Sequence, residues 1–274
     1  MLPPVAMDRR WLIETVVFLE PFEDRPLQCT ETRLGDDVEP GAIDGLVQNL
    51  AEAIDLLEVP FNDVLKRATY GDRTLFAAAQ AGHIENFVDT LFWIAVPLYL
   101  TSQGLGIAAV GVVVGVHSAM YFSQIATGGL ADRIGRRPPV IAGMFLAGAG
   151  VLGMVFVEGY LLWAVLAAVS GLGMALLYPN LMTVPGDAAH PTWRSAGMGV
   201  YRMWRDSGYG VGAILIGLSM EFINAEAAFY MTAILMFLSG AVVYVWMEET
   251  HPDFGTHEPP VPATEPPTGA MPED

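Results

Sequence analysis

From position 73 onward the chain is written in long apolar blocks separated by short polar breaks. Six blocks stand out: 74–100, 106–130, 138–157, 159–182, 195–220 and 226–247. A helix needs about 20 mostly apolar residues to cross the hydrocarbon of a bilayer. The breaks carry turn residues: Gln103-Gly104, the arginine-rich stretch 132–137, Glu158-Gly159, Gly186 to Arg194, and Asn224. Backbone polar groups inside lipid must pair within their own segment, so each block is expected to be a helix. A barrel would need shorter segments of alternating character, and none is present. The pattern therefore predicts an all-α membrane protein with six transmembrane helices over residues 74–250.

The ends read differently. Residues 1–59 form a short soluble segment in this reading. Trp11 to Leu19 is an apolar run interrupted by Glu14, too short to span and best read as a strand. Ile43, Leu46, Val47, Leu50, Ala51, Ile54 and Leu57 recur at helical spacing, so residues 43–57 are expected to form an amphipathic helix ended by Pro60. Its polar face holds Asp44, Glu52, Asp55 and Glu58, which suits protein or solvent better than anionic lipid. Residues 251–274, rich in Pro and Glu without apolar period, read as a disordered acidic tail.

Charge sharpens this division. The net charge is −17, split as −9 over residues 1–72, −1 over 73–247 and −7 over 248–274. Such acidity argues against a nucleic-acid partner, and it fits a salt-loving organism. Cys29 is the only cysteine, which excludes an internal disulfide. No apolar run follows a basic stretch at Met1–Arg10, so no cleaved secretory signal is expected. Lys66, Arg67 and Arg73 precede the first block; Arg133, Arg136 and Arg137 lie between the second and third; Arg194 lies between the fourth and fifth. The other three connections hold Glu158, Glu221 and Glu226 but no Lys or Arg. All loop cations thus fall on one side, expected to be the cytoplasm, with both termini there.

One of these connections carries a motif. Gly128-Gly129-Leu130-Ala131-Asp132-Arg133-Ile134-Gly135-Arg136-Arg137 resembles the signature loop of the major facilitator superfamily: Gly, three residues, Asp, a basic residue, any residue, Gly, two basic residues. Charge placement alone explains the arginines, but not the spaced Gly128 and Gly135 or the Asp132. The glycines permit a tight turn and close helix approach. The resemblance implies a gate on the cytoplasmic side, with Asp132 and Arg133 as its latch and Arg136 and Arg137 as supporting charges. It also implies six-helix halves whose third and sixth helices lie outermost, and block three and residues 227–247 of block six are indeed free of charge. His190 to Arg194 and Tyr201 to Tyr209 resemble the fifth helix of a second half, and residues 60–73 a cytoplasmic connector leading into it. The resemblance covers roughly residues 60–250.

The family is built from two halves, and this chain reads as the second without the first. The glycine-proline signature expected in the fifth helix of a first half is absent. The fold class implied is half of a major facilitator fold, embedded in the cell membrane. The function implied is secondary, proton-coupled transport of a small-molecule substrate by alternating access. A homodimer or a separate N-terminal half would then complete the pathway. The alternative is a truncated or regulatory membrane subunit; an intramembrane enzyme using the buried carboxylates is a third reading. No catalytic residue, cofactor or metal is expected: there is no paired His-Glu metal motif, phosphate-binding glycine loop or Gly-x-Ser-x-Gly elbow.

Polar residues inside the blocks mark the candidate pathway, because ionisable groups are expensive in a membrane. The first block holds Gln80, His83, Glu85, Asn86 and Asp89. Glu85 and Asp89 share a helical face; His83, Asn86 and Thr90 share another. The two carboxylates fit a proton-coupling pair, or structural pairing with an arginine of the fifth block. His117, Tyr121 and Gln124 align on the second block, either as packing or as a proton relay. On the fifth, Arg202, Arg205, Asp206 and Tyr209 fall in one arc, with Arg202 and Asp206 spaced to pair. They fit a pathway cluster or a structural salt bridge. Tyr178-Pro179-Asn180 predicts a kink in the fourth block.

The orientation has a direct test. In a chain with Cys29→Ser, impermeant thiol reagents should label Arg133→Cys and Glu158→Cys from opposite faces of a sealed vesicle.

Overall fold

The computed structural model describes residues 60–189 and 193–255. The expected strand at 11–19, the amphipathic helix over 43–57, Cys29 and all but the start of the acidic tail lie outside them. Every described residue belongs to one unit, Ala53–Asp274.

Among the described residues all regular elements are helical. A short helix α1 (Phe61–Lys66) passes through a π-helical turn (Arg67–Gly71) into α2 (Arg73–Trp93) and α3 (Ala95–Ser102). These are followed by α4 (Ile107–Ala119), a 3-10 turn (Met120–Ser123) and α5 (Gln124–Ile134). Then come α6 (Arg137–Phe156), α7 (Tyr160–Ala188), α8 (Arg194–Phe222) and α9 (Ala225–Trp246). Taken end to end, α2–α3 and α4–α5 are the first two spans, and α6 to α9 the other four. The six expected spans are therefore present. By length and composition four are apolar enough to cross a membrane: Ile107–Ile134, Arg137–Phe156, Tyr160–Ala188 and Ala225–Trp246. The first and fifth fall short because they carry the ionisable residues, and these two pack against each other.

Each boundary has a local cause. Asp72 caps α2, its carboxylate accepting the Leu75 N–H at 2.8 Å. The break at Ile94 lies three residues ahead of Pro97, whose ring crowds the carbonyl of Trp93, four residues back, and which has no N–H to offer it. Gly135, at φ +91°, turns the chain sharply between α5 and α6. Asn224 caps α9 by accepting the Ala227 N–H at 2.8 Å. α7 is 29 residues long and runs on through Pro179 and Pro185. Pro179 cannot donate to the Ala175 carbonyl, so that acceptor is taken by the Thr127 hydroxyl of the second span, 2.7 Å away.

Small residues set the packing. The third and fourth spans cross so closely that a Cβ on Gly143 would lie 2.7 Å from the Gly173 carbonyl, and one on Gly150 2.6 Å from the Ser170 nitrogen. Between helices in lipid, such approach gains van der Waals contact where no hydrophobic drive exists. The first span packs against the fourth, fifth and sixth, and the second packs mainly on the fourth. The core runs through Leu91, Phe92, Leu100, Met144, Met174 and Phe229. A smaller cluster, Val64, Ala68, Leu75, Ala188, Trp193 and Val200, holds α1 beneath the fourth and fifth spans. Much of the second span stays uncovered, including Val112, Phe122, Ile125 and Leu130.

Gly173→Leu should therefore destabilise the detergent-purified protein by about 1–3 kcal/mol through overpacking. Gly111→Leu, where an added Cβ meets nothing within 4 Å, should leave thermal unfolding unchanged.

Candidate functional site

The first and fifth spans meet around one buried ion pair. Glu85, 1% exposed, faces Arg205 at 3.5 Å from its Nε. Close approach is possible because Gly208, three residues on, leaves room for the His83 carbonyl. Asn86 donates to the Arg205 carbonyl at 2.7 Å, and His83 Nδ1 lies 3.0 Å from the Trp204 carbonyl and 2.9 Å from Ser207 Oγ. The Arg205 guanidinium also donates to Asp206 at 3.1 Å and lies over the Tyr178 ring, 4.8 Å from its centroid. Arg205 thus links an enclosed carboxylate to one whose side chain is 61% exposed. Among the described residues, neither Glu85 oxygen has a hydrogen-bond partner. Among the described residues, Arg205 is the cation that faces Glu85.

One turn further along α2, Asp89 forms a second node. It accepts hydrogen bonds from the Tyr121 hydroxyl of the second span and from Tyr209 of the fifth at 3.2 Å. His117 Nε2 is 3.2 Å from Tyr121 Oη and 3.8 Å from Asp89. Phe92 stacks on the His117 ring at 3.6 Å, and Trp93 on Tyr209 at 5.5 Å. Asp89 therefore ties the first span to its neighbours on both sides. Glu85 and Asp89, neighbours along one helix, reach different partners.

Other candidates stand apart. Gln80 donates to the Ala77 carbonyl at 2.9 Å and lies 3.5 Å from the Ser239 carbonyl of the sixth span. Gln124 follows the 3-10 turn, which shifts its helical phase away from His117 and Tyr121, and its side chain joins neither node. Arg202 is exposed, and the Asp206 carboxylate is taken by Arg205 rather than by Arg202.

The motif differs from its expected shape. Gly128 to Ile134 is helical, so only Gly135 makes a turn. An added Cβ on Gly128 or Gly129 would meet nothing within 4 Å, so neither serves close packing among the described residues. Asp132 is held by Arg136, four residues on, at 2.9 Å, while Arg133 is exposed. Arg136 also faces Asp187 of the fourth span at 3.5 Å. Arg137 donates to the Tyr244 carbonyl of the sixth span at 2.5 Å. The two arginines expected as supporting charges are thus the ones that join the spans.

Three residues of this arrangement escape a reading of the sequence: Thr127, Asp187 and Glu249. Glu249, just past the sixth span, accepts the backbone N–H groups of Arg136 and Arg137 at 2.7 and 3.0 Å. The available signal was a carboxylate directly after one span, with two prolines directly after the motif at the start of another.

Comparison with known proteins agrees with this architecture. The sequence pattern of the Major Facilitator Superfamily matches residues 81–270. Multidrug resistance protein MdtH of Aeromonas hydrophila is 29% identical over 143 residues, 50% of this chain and 32% of that protein. The inner membrane transport protein YajR of Escherichia coli is 23% identical over 197 residues, 70% of this chain and 40% of that protein. The chain thus spans between 32% and 40% of the length of these relatives. The fold is similar to that of the peptide transporter POT in complex with sulfate, with a TM-score of 0.61 and 25% identity, covering 75% of this chain and 45% of that one. The E310Q mutant of POT bound to alafosfalin gives the same TM-score, over 75% of this chain and 46% of the other. With the sequence pattern extending over residues 81–270 and the fold shared across three quarters of the chain, this multi-pass membrane protein belongs to the Major Facilitator Superfamily.

Proposed function

We propose that the chain is half of a secondary transporter that moves a small solute by proton-coupled alternating access. The observation that carries this reading is the Glu85–Arg205 pair, buried between two spans and continued by Arg205 to the exposed Asp206. A carboxyl with a single movable counter-charge can bind a proton when that charge turns away. Arg205 has a second carboxylate to turn toward. Protonation of Glu85 then favours Arg205 on Asp206, and proton release favours its return. Asp89, tied to the second and fifth spans by two tyrosine hydroxyls, is placed to register that shift across the bundle. The substrate belongs on the exposed side of Asp206, Tyr209 and Trp93.

The other wall of such a pathway is a second six-helix half, from a second copy or an N-terminal half. The arginine-bearing ends of the spans lie at the cytoplasm in this reading, with residues 60–73 as the connector there and 1–59 as a soluble segment. Asp132, Arg133, Arg136 and Arg137 form the gate.

In proteoliposomes under an imposed proton gradient, Glu85→Gln should cut gradient-driven flux by about tenfold or more while leaving exchange down a substrate gradient measurable. Unaltered gradient dependence would remove Glu85 from the mechanism, and a monodisperse monomer without any flux would favour a regulatory subunit. The pairing itself predicts a rescue. Arg205→Ala leaves a buried charge without its partner and should cost about 3–5 kcal/mol, whereas Arg205→Ala with Glu85→Gln should recover most of the lost thermal stability.

A further inference from the structure

The third span begins with an unusual shortage of donors. The first residues of a helix carry N–H groups with no partner inside it. Here Pro138 and Pro139 follow Arg137 directly and have no N–H to offer. The Val140 N–H is already directed at the Arg136 carbonyl at 3.4 Å. The free donors of this helix start are therefore the N–H groups of Arg136 and Arg137. Both are taken by Glu249, one on each carboxylate oxygen, at 2.7 and 3.0 Å. The same carboxylate also accepts the N–H groups of Thr250 and His251, each at 3.0 Å. A Cβ on Gly135 would lie 2.6 Å from the Glu249 carboxyl carbon, so the turn is shaped around this side chain.

The return contact comes from the third span. Arg137 donates to the Tyr244 carbonyl in the last turn of α9 at 2.5 Å and lies 5.7 Å from the Tyr244 ring centroid. Each helix end thus receives the charge its own dipole favours, an anion at the start of the third span and a cation at the end of the sixth. The clasp fixes the backbone of Arg136, whose guanidinium then reaches Asp132 of the second span at 2.9 Å and Asp187 of the fourth at 3.5 Å.

We propose that Glu249 is a positioning residue: its carboxylate fills a backbone anion site at the start of the third span and thereby aims Arg136 at Asp132 and Asp187. The inference concerns the bundle itself and stands independently of what the protein transports.

The test uses the full chain in detergent and two readouts. Glu249→Ala should lower the unfolding temperature by about 3 °C or more, and sodium formate should restore most of this relative to sodium chloride at equal ionic strength. Formate should leave the unsubstituted chain and Glu249→Gln unmoved, because the site is filled in both. The second readout is coupling between residues that do not touch. The destabilisation by Asp187→Ala should shrink to roughly half in the Glu249→Ala background, since Arg136 is no longer aimed. If Glu249→Ala does not accumulate, Glu249→Leu, which also removes both acceptor oxygens but keeps an apolar side chain, carries the same coupling measurement. Equal restoration by chloride and formate would overturn the anion site. An Asp187→Ala effect of the same size in both backgrounds would overturn the positioning role.

Discussion

A charge inside an apolar bundle has to be answered by another charge, and most of this architecture follows from how that demand is met. Transferring an ionised side chain out of water costs several kcal/mol even after relaxation. Glu85 and Arg205 meet the demand together, and they sit on different spans. The first and fifth spans must therefore be neighbours, in one register, with Gly208 facing the His83 carbonyl so that the two backbones come close enough. Neither span is apolar enough to be counted as membrane-crossing by composition. Each is completed by the other.

Around that pair the remaining spans divide their tasks. The third and sixth contribute apolar packing and pin their ends to each other through Glu249 and Arg137. The second contributes hydroxyls, from Tyr121 to Asp89 and from Thr127 to the Ala175 carbonyl. The two polar centres, one at the level of Glu85 and one at the Gly128–Arg137 motif, are built by different rules. The first relies on side-chain charge in a buried setting. The second relies largely on backbone N–H groups and carbonyls exposed at helix ends, where side chains of opposite sign can reach them.

That difference explains what could be read in the sequence. Six spans were legible because a bilayer demands a run of apolar residues and the breaks carry turn residues. The pairing of an acidic first-span residue with a fifth-span arginine was legible as one of two readings, since isolated charges in apolar blocks have few partners. Which arginine it was depended on packing: the arc holding Arg202, Arg205, Asp206 and Tyr209 is the same on paper, and only the contact with α2 singles out Arg205. Gln124 was misaligned with His117 and Tyr121 by a 3-10 turn that no residue between Met120 and Ser123 announces. Glu249 was hidden for another reason. It binds backbone groups more than 100 residues away, and backbone donors leave no trace in a residue pattern except through the prolines that remove them.

The Thr127 hydroxyl on the Ala175 carbonyl gives the fourth span a particular kind of joint. In an unbroken helix, bending opens a bond of the helix's own ladder. Here Pro179 has already removed that bond, and its replacement comes from a different span. Rotation of the hydroxyl can release the carbonyl while every remaining rung stays closed. The fourth span can then flex at this level without local melting, and the second span, holding the other side of the contact, is the part that feels it move.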